Sequence, residues 1–557
     1  MTRTSMIKTN LRDILVLLLV IGIFFALFLG SRPLSVPDEG RYVEIPREMA
    51  VTGDWLTPRL NGVKYFEKPP LVYWVEAALI RLFGLSEWSV RLGPALFALF
   101  GCIIVYYAGA KLFGQRAGIL SAVVLATSML YYALSRLVIL DMPVSVLLTA
   151  SLLSFLLGTR EPAGLRRRAL MYGFYAFAGL AVMTKGLIGI VFPAMIIGAW
   201  IVVMNEWRVL RQMYLPTGII LFLAVAVPWH VLVSQANPEF PRFYFIHEHL
   251  ERYLTKVHSR YKPFWYFIPI LLLGFFPWTA FLVQAVRNAL PRSWKDRHQH
   301  GHTIFLLLWA GLVFLFFSAS SSKLIPYILP VFPPLALLTG RYLAAVRMPD
   351  ERASFRAGAV AVTVMTLLLA FGLLLLPRFR PEIDLHVFRN HLVVIAGILL
   401  FGIGSFLSLT RKDRIREAVI ALAVTAALFP MVAGSALPHL DTRSIKDLAL
   451  TVKTHVASGD EVVCYRTYYQ DLPVYLERRV TVVEWRGELA FGTTVEDTSG
   501  WMIGEAEFWK RWDGPGTLYV ATSSKHFDAS WKDPGKRYFL IARNERTVLL
   551  SNREATP

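Results

Sequence analysis

The sequence predicts a polytopic α-helical membrane protein with a small α/β domain at its C-terminal end. Three observations predict it. The chain is 55% hydrophobic and only 17% charged, more apolar surface than a soluble fold of this length can hide but no difficulty for helices that face lipid. Apolar runs of membrane-crossing length recur as far as residue 437. The formal net charge of +19 is held in short segments between those runs, the pattern of cytoplasmic loops rather than of a nucleic-acid binder; part of it can also meet anionic lipid.

The first apolar run, Ile14 to Gly30, follows Arg3, Lys8 and Arg12 and passes into Ser31-Arg32-Pro33 without an A-x-A site. It reads as a retained span rather than a cleaved signal peptide. The next runs are Val90–Phe113, Ala117–Leu134, Met142–Gly158, Leu170–Met183, Leu187–Met204 and Leu215–Val233. Phe264–Val286, Thr303–Phe317, Leu324–Gly340, Ala357–Leu376, Leu392–Leu409 and Ala418–Leu437 follow. At about 20 residues per crossing this makes about 13 spans. An odd number places the two termini on opposite sides.

Basic residues precede the first span and recur at Lys111 and Arg116, Arg160 with Arg166 to Arg168, Arg208 and Arg211, Arg287 to Arg297, Arg341 to Arg356, and Arg411 to Arg416. All fall on one side if about 13 spans alternate, and the positive-inside rule makes that side, with the N-terminus, cytoplasmic. The opposite side receives residues 31–87, 135–141, 184–186, 234–263, 318–323, 377–391 and everything after Pro438. The expected domains are therefore a membrane domain, 1–437, with external loops 31–87 and 234–263, and an external α/β domain, 438–557. In that tail Glu461–Tyr465, Val480–Glu484, Thr517–Ala521 and Tyr538–Ala542 have strand character, and Arg443 to Val456 has helical spacing. The two cysteines, Cys102 in an apolar run and Cys464 in the tail, are poor partners for a disulfide and have no metal-type neighbour.

The first external loop carries the most chemistry. It holds Val36-Pro37-Asp38-Glu39-Gly40-Arg41-Tyr42 and Tyr65-Phe66-Glu67-Lys68-Pro69-Pro70-Leu71, and its length is too great for a bare connector. Trp55, Tyr65, Tyr73 and Trp74 suit interface anchors. Asp54 and Lys64 read as charges that simply meet water. Asp38 reads differently, because a carboxylate a few residues beyond a span is costly without a partner or a purpose. Asp141 stands at another external span end, where it is also placed to cap the helix beginning at Met142-Pro143; the two roles can coexist. Arg41, Lys68, Arg136, Lys185 and Lys323 all lie on the face that the positive-inside rule disfavours. Snorkelling explains a lone lysine there, but several cations together suit an anionic headgroup or phosphate. In Phe243 to Tyr253, His249 and Arg252 share one helical face and His247 and Glu251 another. His247-x-His249 can bind a divalent ion with Glu67 completing the set, although the spacing is not a zinc signature and hydrogen-bonded histidines on an interfacial helix explain it as well.

At these residues the chain resembles a known family. Asp38-Glu39 directly after the first span resembles the acidic signature of the polyprenol-phosphate-dependent membrane glycosyltransferases, the GT-C superfamily. Pro37 to Tyr42, Phe66 to Leu71 with Tyr73-Trp74, Thr184-Lys185-Gly186, Glu248-His249 with Arg252, and Lys323 to Pro330 together resemble the bacterial lipid A 4-amino-4-deoxy-L-arabinose transferases, relatives of the protein O-mannosyltransferases. The likeness runs through the whole membrane region and thins over the tail. Leu324-Ile325-Pro326 departs from the family's Leu-Pro-Thr but leaves Lys323 and Tyr327 in place.

The resemblance implies transfer of the aminosugar from undecaprenyl phosphate to a lipid A phosphate at the periplasmic face of a bacterial inner membrane, which weakens polymyxin and other cationic antimicrobial peptides. It implies Asp38, Glu39 and Asp141 as the catalytic set. It implies Arg41, Lys68, Arg252, Lys185, Lys323 and Tyr327 as the phosphate-binding set, with no required cofactor and at most an accessory divalent metal, zinc, at Glu67, His247 and His249. Because a lipid A phosphate is already anionic, Asp38 is expected to act electrostatically or by positioning rather than as a base. Two other readings remain open: a polyprenol-phosphate glycosyltransferase acting on protein or another glycan, and a lipid-linked sugar transporter. Against the transporter, the charged groups gather at one membrane face rather than at the midplane.

Overall fold

Each apolar run expected to span falls on helix in the computed structural model, which describes residues 3–251, 262–346, 349–379, 385–440, 444–531 and 536–554. Among the described residues, eight helices are long and apolar enough to cross a membrane unaided, and a ninth crossing results if the pair Phe264–Gly274 and Trp278–Ala289, bent by 103°, counts as one. The other runs are shorter, broken or charged at one end. Ala117–Leu134 divides into Gln115–Thr127 and Met129–Leu134, and Leu324–Gly340 begins as a 3-10 turn, Ile325–Val331, before the helix Phe332–Ala345.

The chain separates into two compact units. The first comprises Met1–Leu29, Pro94–Val231 and His247–Ala436. At its centre the helix Asp141–Gly158 is 89% buried, whereas Leu215–Ala236 is only 22% buried and turns its apolar residues outward. Asp141–Gly158 packs against Leu165–Lys185, Ile188–Met204 and the Ile325–Val331 turn, so the start of one helix, the end of the next and this turn meet in one place. Small residues bring backbones together elsewhere. Gly340 lies so close to Gln115–Thr127 that an added Cβ would stand 2.2 Å from Ser121 Oγ.

The second unit gathers Gly30–Gly93, Leu232–Ile246 and Leu437–Pro557. Its C-terminal part is a six-stranded sheet ordered β5-β4-β3-β6-β8-β7, with β3 Glu461–Tyr465, β4 Thr481–Val483, β5 Met502–Ile503, β6 Leu518–Ser523, β7 Phe539–Arg543 and β8 Thr547–Ser551. The first four strands run parallel, and β8 and β7 add antiparallel. Tyr465, Phe508, Trp512, Phe527 and Trp531 fill one core. The sequence reading located β3, β4, β6 and β7 and the helix Lys446–His455; it missed β5, two residues long, and β8.

The first loop is built into this unit. Helix Asp38–Thr52 begins with two acids, which the positive N-terminal end of a helix favours, and ends at Gly53 with φ 75° and a backbone bond to Met49. A hairpin of β1 Arg59–Leu60 and β2 Val63–Lys64 follows, then helix Leu71–Phe83. Asn61 pairs through its side-chain amide with both backbone groups of Val480, at 2.9 Å each. Arg59 and the Lys64 amide both reach Glu496. Gly40 and Gly492 allow close approach: a Cβ would lie 2.6 Å from the Asp471 nitrogen at the first and 2.4 Å from the Lys64 carbonyl oxygen at the second.

Several readings of this loop are corrected. Lys64 does not merely meet water; its ammonium pairs with Glu239 at 2.7 Å. Asp54 forms a turn by accepting from the amides of Leu56 and Thr57. Tyr65 and Tyr73 are buried rather than anchored at an interface, because their rings supply core area that this small unit otherwise lacks.

Candidate active site

Two acid–cation clusters stand where expected residues meet, one in each unit. In the first unit the Lys185 ammonium lies 2.5 Å from Asp141 Oδ1 and 4.7 Å above the Tyr327 ring. Asp141 is the first residue of its helix and Leu140 holds the cap position, so the capping reading gives way to an ion pair across helices. Both partners are 14% exposed, a setting in which a charged hydrogen bond is stronger than in water. Lys323 is 3% exposed and donates to the carbonyls of Ser320 and Lys262. Desolvation lowers its pKa. It braces these two loops and has one proton left for a ligand.

In the second unit Asp38 sits on the first turn of its helix with its side chain 55% exposed and bonded to Arg41 at 2.5 Å. Arg41 is enclosed, with its ring-facing side 4.9 Å from Tyr42. Burial works against its charge, but Tyr65, Tyr42, Glu67 and Asp38 more than offset this and hold its pKa well above the usual range. Among the described residues, Arg41 Nε and the hydroxyls of Tyr65 and Tyr73 are buried without hydrogen-bond partners. Such donors are costly unless something else binds them. Lys68 donates to the Glu67 carbonyl at 2.8 Å, which turns the chain just before the Pro69-Pro70 helix start.

Glu39 does not belong to an exposed catalytic set. It is fully buried, held by Arg91 and Arg32 at 3.0 Å each and by the Ser35 amide at 2.9 Å. Burial alone would raise its pKa, yet the two arginines bring it down to about 2. The sequence reading missed Arg91, Arg32 and the tyrosine hydroxyls. Arg91 had one available signal, a basic residue at an external span end, where an arginine calls for a partner.

His247, exposed, faces Glu248 at 3.8 Å. Arg252 and the side chain of His249 lie outside the described residues. Among the described residues no three His, Cys, Asp or Glu side chains converge as a metal set.

The fold and these clusters define a membrane glycosyltransferase of the GT-C type. Residues 67–231 match the family model described as dolichyl-phosphate-mannose-protein mannosyltransferase, and residues 448–552 match the aminoarabinose transferase C-terminal domain. The undecaprenyl phosphate-alpha-4-amino-4-deoxy-L-arabinose arabinosyl transferase of Edwardsiella ictaluri is 30% identical over 503 residues, 87% of this chain and 88% of that one. The Enterobacter protein of the same name is 34% identical over 69% of this chain and 70% of its own length. The crystal structure of ArnT from Cupriavidus metallidurans bound to undecaprenyl phosphate superposes with a TM-score of 0.86 at 30% identity and covers 100% of both chains. The chain belongs to the undecaprenyl phosphate-aminoarabinose arabinosyl transferase family.

Proposed function

We propose that this chain transfers 4-amino-4-deoxy-L-arabinose from undecaprenyl phosphate to a phosphate group of lipid A at the periplasmic face of the inner membrane. The observation that carries the reading is whole-length similarity to an ArnT structure whose ligand is undecaprenyl phosphate. In the step, a lipid A phosphate oxygen bonds to the sugar's anomeric carbon. The bond from that carbon to the donor phosphate breaks, and undecaprenyl phosphate leaves with the electron pair. The nucleophile is already an anion, so no base is required.

Catalysis then rests on charge placement. In the second unit Lys68 and Arg41 take the charge that grows on the leaving phosphate; in the first, Tyr327 lends its ring beside Lys185. Asp38 stabilises positive charge at the anomeric carbon or holds the sugar's ammonium, and Asp141 fixes Lys185. These cations can serve the leaving group without a metal, and a divalent ion would be accessory. The proposed orientation puts the N-terminus in the cytoplasm and the tail in the periplasm, with the masked lipid A charge giving polymyxin resistance.

Mass spectrometry of lipid A from cells with and without the chain tests the reading. A gain of one aminopentose on a phosphate is expected. Unchanged lipid A alongside newly glycosylated protein would overturn it in favour of another polyprenol-phosphate transferase. Sugar transfer in detergent, where there are no sides to transport between, would exclude a transporter.

A further inference from the structure

Arg91 stands near the start of the helix Glu87–Phe113 with no exposed surface, and nothing in the proposed chemistry uses it. Its Nε and Nη2 grip both carboxylate oxygens of Glu39, each at 3.0 Å. Its Nη1 donates to the Arg32 carbonyl and its Nη2 to the Pro33 carbonyl, both at 2.7 Å. The Arg32 guanidinium closes on the same carboxylate at 3.0 Å and on Ser35 Oγ at 2.6 Å. The Ser35 amide bonds Glu39 Oε2 at 2.9 Å, and the Glu39 amide bonds the Ser35 carbonyl at 2.9 Å. One guanidinium therefore holds the turn at residues 32–35 and the first turn of helix Asp38–Thr52 together.

Asp38 is the residue before Glu39, on that same first turn. Successive helix residues differ by about 100° around the axis. Fixing Glu39 inward thus sets the direction in which Asp38 points outward. The exposure of the two carboxylates matches, with Glu39 fully buried and Asp38 55% exposed. Glu76, 1% exposed, also faces this core and occupies the space that Gly93 leaves: a Cβ on Gly93 would lie 2.2 Å from Glu76 Oε1. Burial, with the Glu39 charge nearby, raises the Glu76 pKa well above its ordinary value.

We propose that Arg91 is a positioning residue for the transfer, holding Asp38 at its working angle through a buried two-oxygen clamp on Glu39. The inference rests on Asp38 being the acting carboxylate. Arginine is required rather than any cation, because only its planar fork meets two carboxylate oxygens and two carbonyls at once. Lysine would keep the charge and lose the geometry.

The test uses full-length protein with the undecaprenyl phosphate-linked donor and lipid A. Arg91→Lys and Glu39→Gln should each lower kcat about 100-fold, the cost of misplacing a reacting group by about an ångström. KM for the donor should stay within about twofold. Thermal unfolding and gel filtration give the folded fraction, and rates are referred to it. The deciding measurement is a double-mutant cycle with Asp38→Asn. If Arg91 acts through Asp38, adding Arg91→Lys to Asp38→Asn costs little further rate. If the same factor is lost with or without Asp38, or if KM rises as kcat falls, the clamp is only structural and the proposal is overturned. Full activity of Asp38→Asn would instead remove Asp38 from the chemistry, a separate failure. Should Arg91→Lys not fold, Arg32→Ala removes one arm of the clamp and enters the same cycle.

Discussion

Adjacent carboxylates in this chain have opposite fates, and the difference lies in their partners. Asp38 has one partner, Arg41, and open surface; Glu39 has two arginines and none. Asp38→Asn keeps the size and removes the charge, so it should lower transfer by about 100- to 1000-fold, the range for loss of one preorganised electrostatic group, with unfolding temperature unchanged. Steady-state turnover by the purified variant checks this, and near-normal turnover would remove Asp38 from the site. Lys68→Ala and Arg252→Ala should each raise the donor KM several-fold more than Lys510→Ala, because Lys510 is 82% exposed and its ion pair with Glu507 is long, at 3.9 Å. Donor titrations on the three variants measure it. The exposed half of this site was legible from the sequence, since acids and cations at external span ends are costly enough to need a reason. The buried half was not. Glu39 and Arg91 are 52 residues apart, and a single sequence does not say which cation will find which acid. For the same reason Lys64 read as solvated although its partner, Glu239, lies in a different loop.

Elements followed the same division. Apolar runs placed the helices, because hydrocarbon demands internally bonded backbone over a fixed length. Breaks within runs, such as Ser128, and the bend between Gly274 and Trp278 were not readable, since they depend on neighbouring helices. Close packing through small residues gives a direct test. Gly340→Ala would drive a methyl into Ser121, while Gly311 has nothing within 4 Å. Gly340→Ala should destabilise by about 1–3 kcal/mol, and Gly311→Ala should be neutral or slightly stabilising through helix propensity; thermal unfolding in detergent compares them. Helix Asp38–Thr52 offers a pH test at Glu48, which bonds the Gly62 amide at 2.9 Å. Burial, with Glu44 beside it, raises its pKa to about 8 from 4.5. The folded state therefore binds this proton more tightly than the unfolded chain. Its contribution is fully present below pH 4.5 and is lost as pH rises toward about 8. Glu48→Gln should flatten that decline and raise stability at pH 8 relative to the parent. An unfolding temperature that falls equally with pH in both proteins would show that Glu48 is not the group responsible.

Across the whole molecule, the long segments that the charge pattern assigns to the outside fall largely in one unit, while short ones such as 135–141, 184–186 and 318–323 fall in the other. Residues 31–87, part of 234–263 and the tail were expected outside, and the second unit consists of Gly30–Gly93, Leu232–Ile246 and Leu437–Pro557. Contact between the first loop and the tail carries its own constraint. Asn61 cannot bond both backbone groups of Val480 unless both lie on the same side, so an even number of crossings must separate them. In the proposed orientation that common side is the periplasm, where the lipid-linked donor is proposed to be. Three alkaline phosphatase fusions test this independently of activity. Fusions after Gly62 and after Leu440 should both be active, and a fusion after Arg168, within the Arg166 to Arg168 cluster, should be inactive. An active Gly62 fusion with an inactive Leu440 fusion would contradict the Asn61–Val480 pairing. A silent Gly62 fusion would place Asp38, Arg41 and Lys68 in the cytoplasm and separate them from a periplasmic donor, and the proposed site would fail with it.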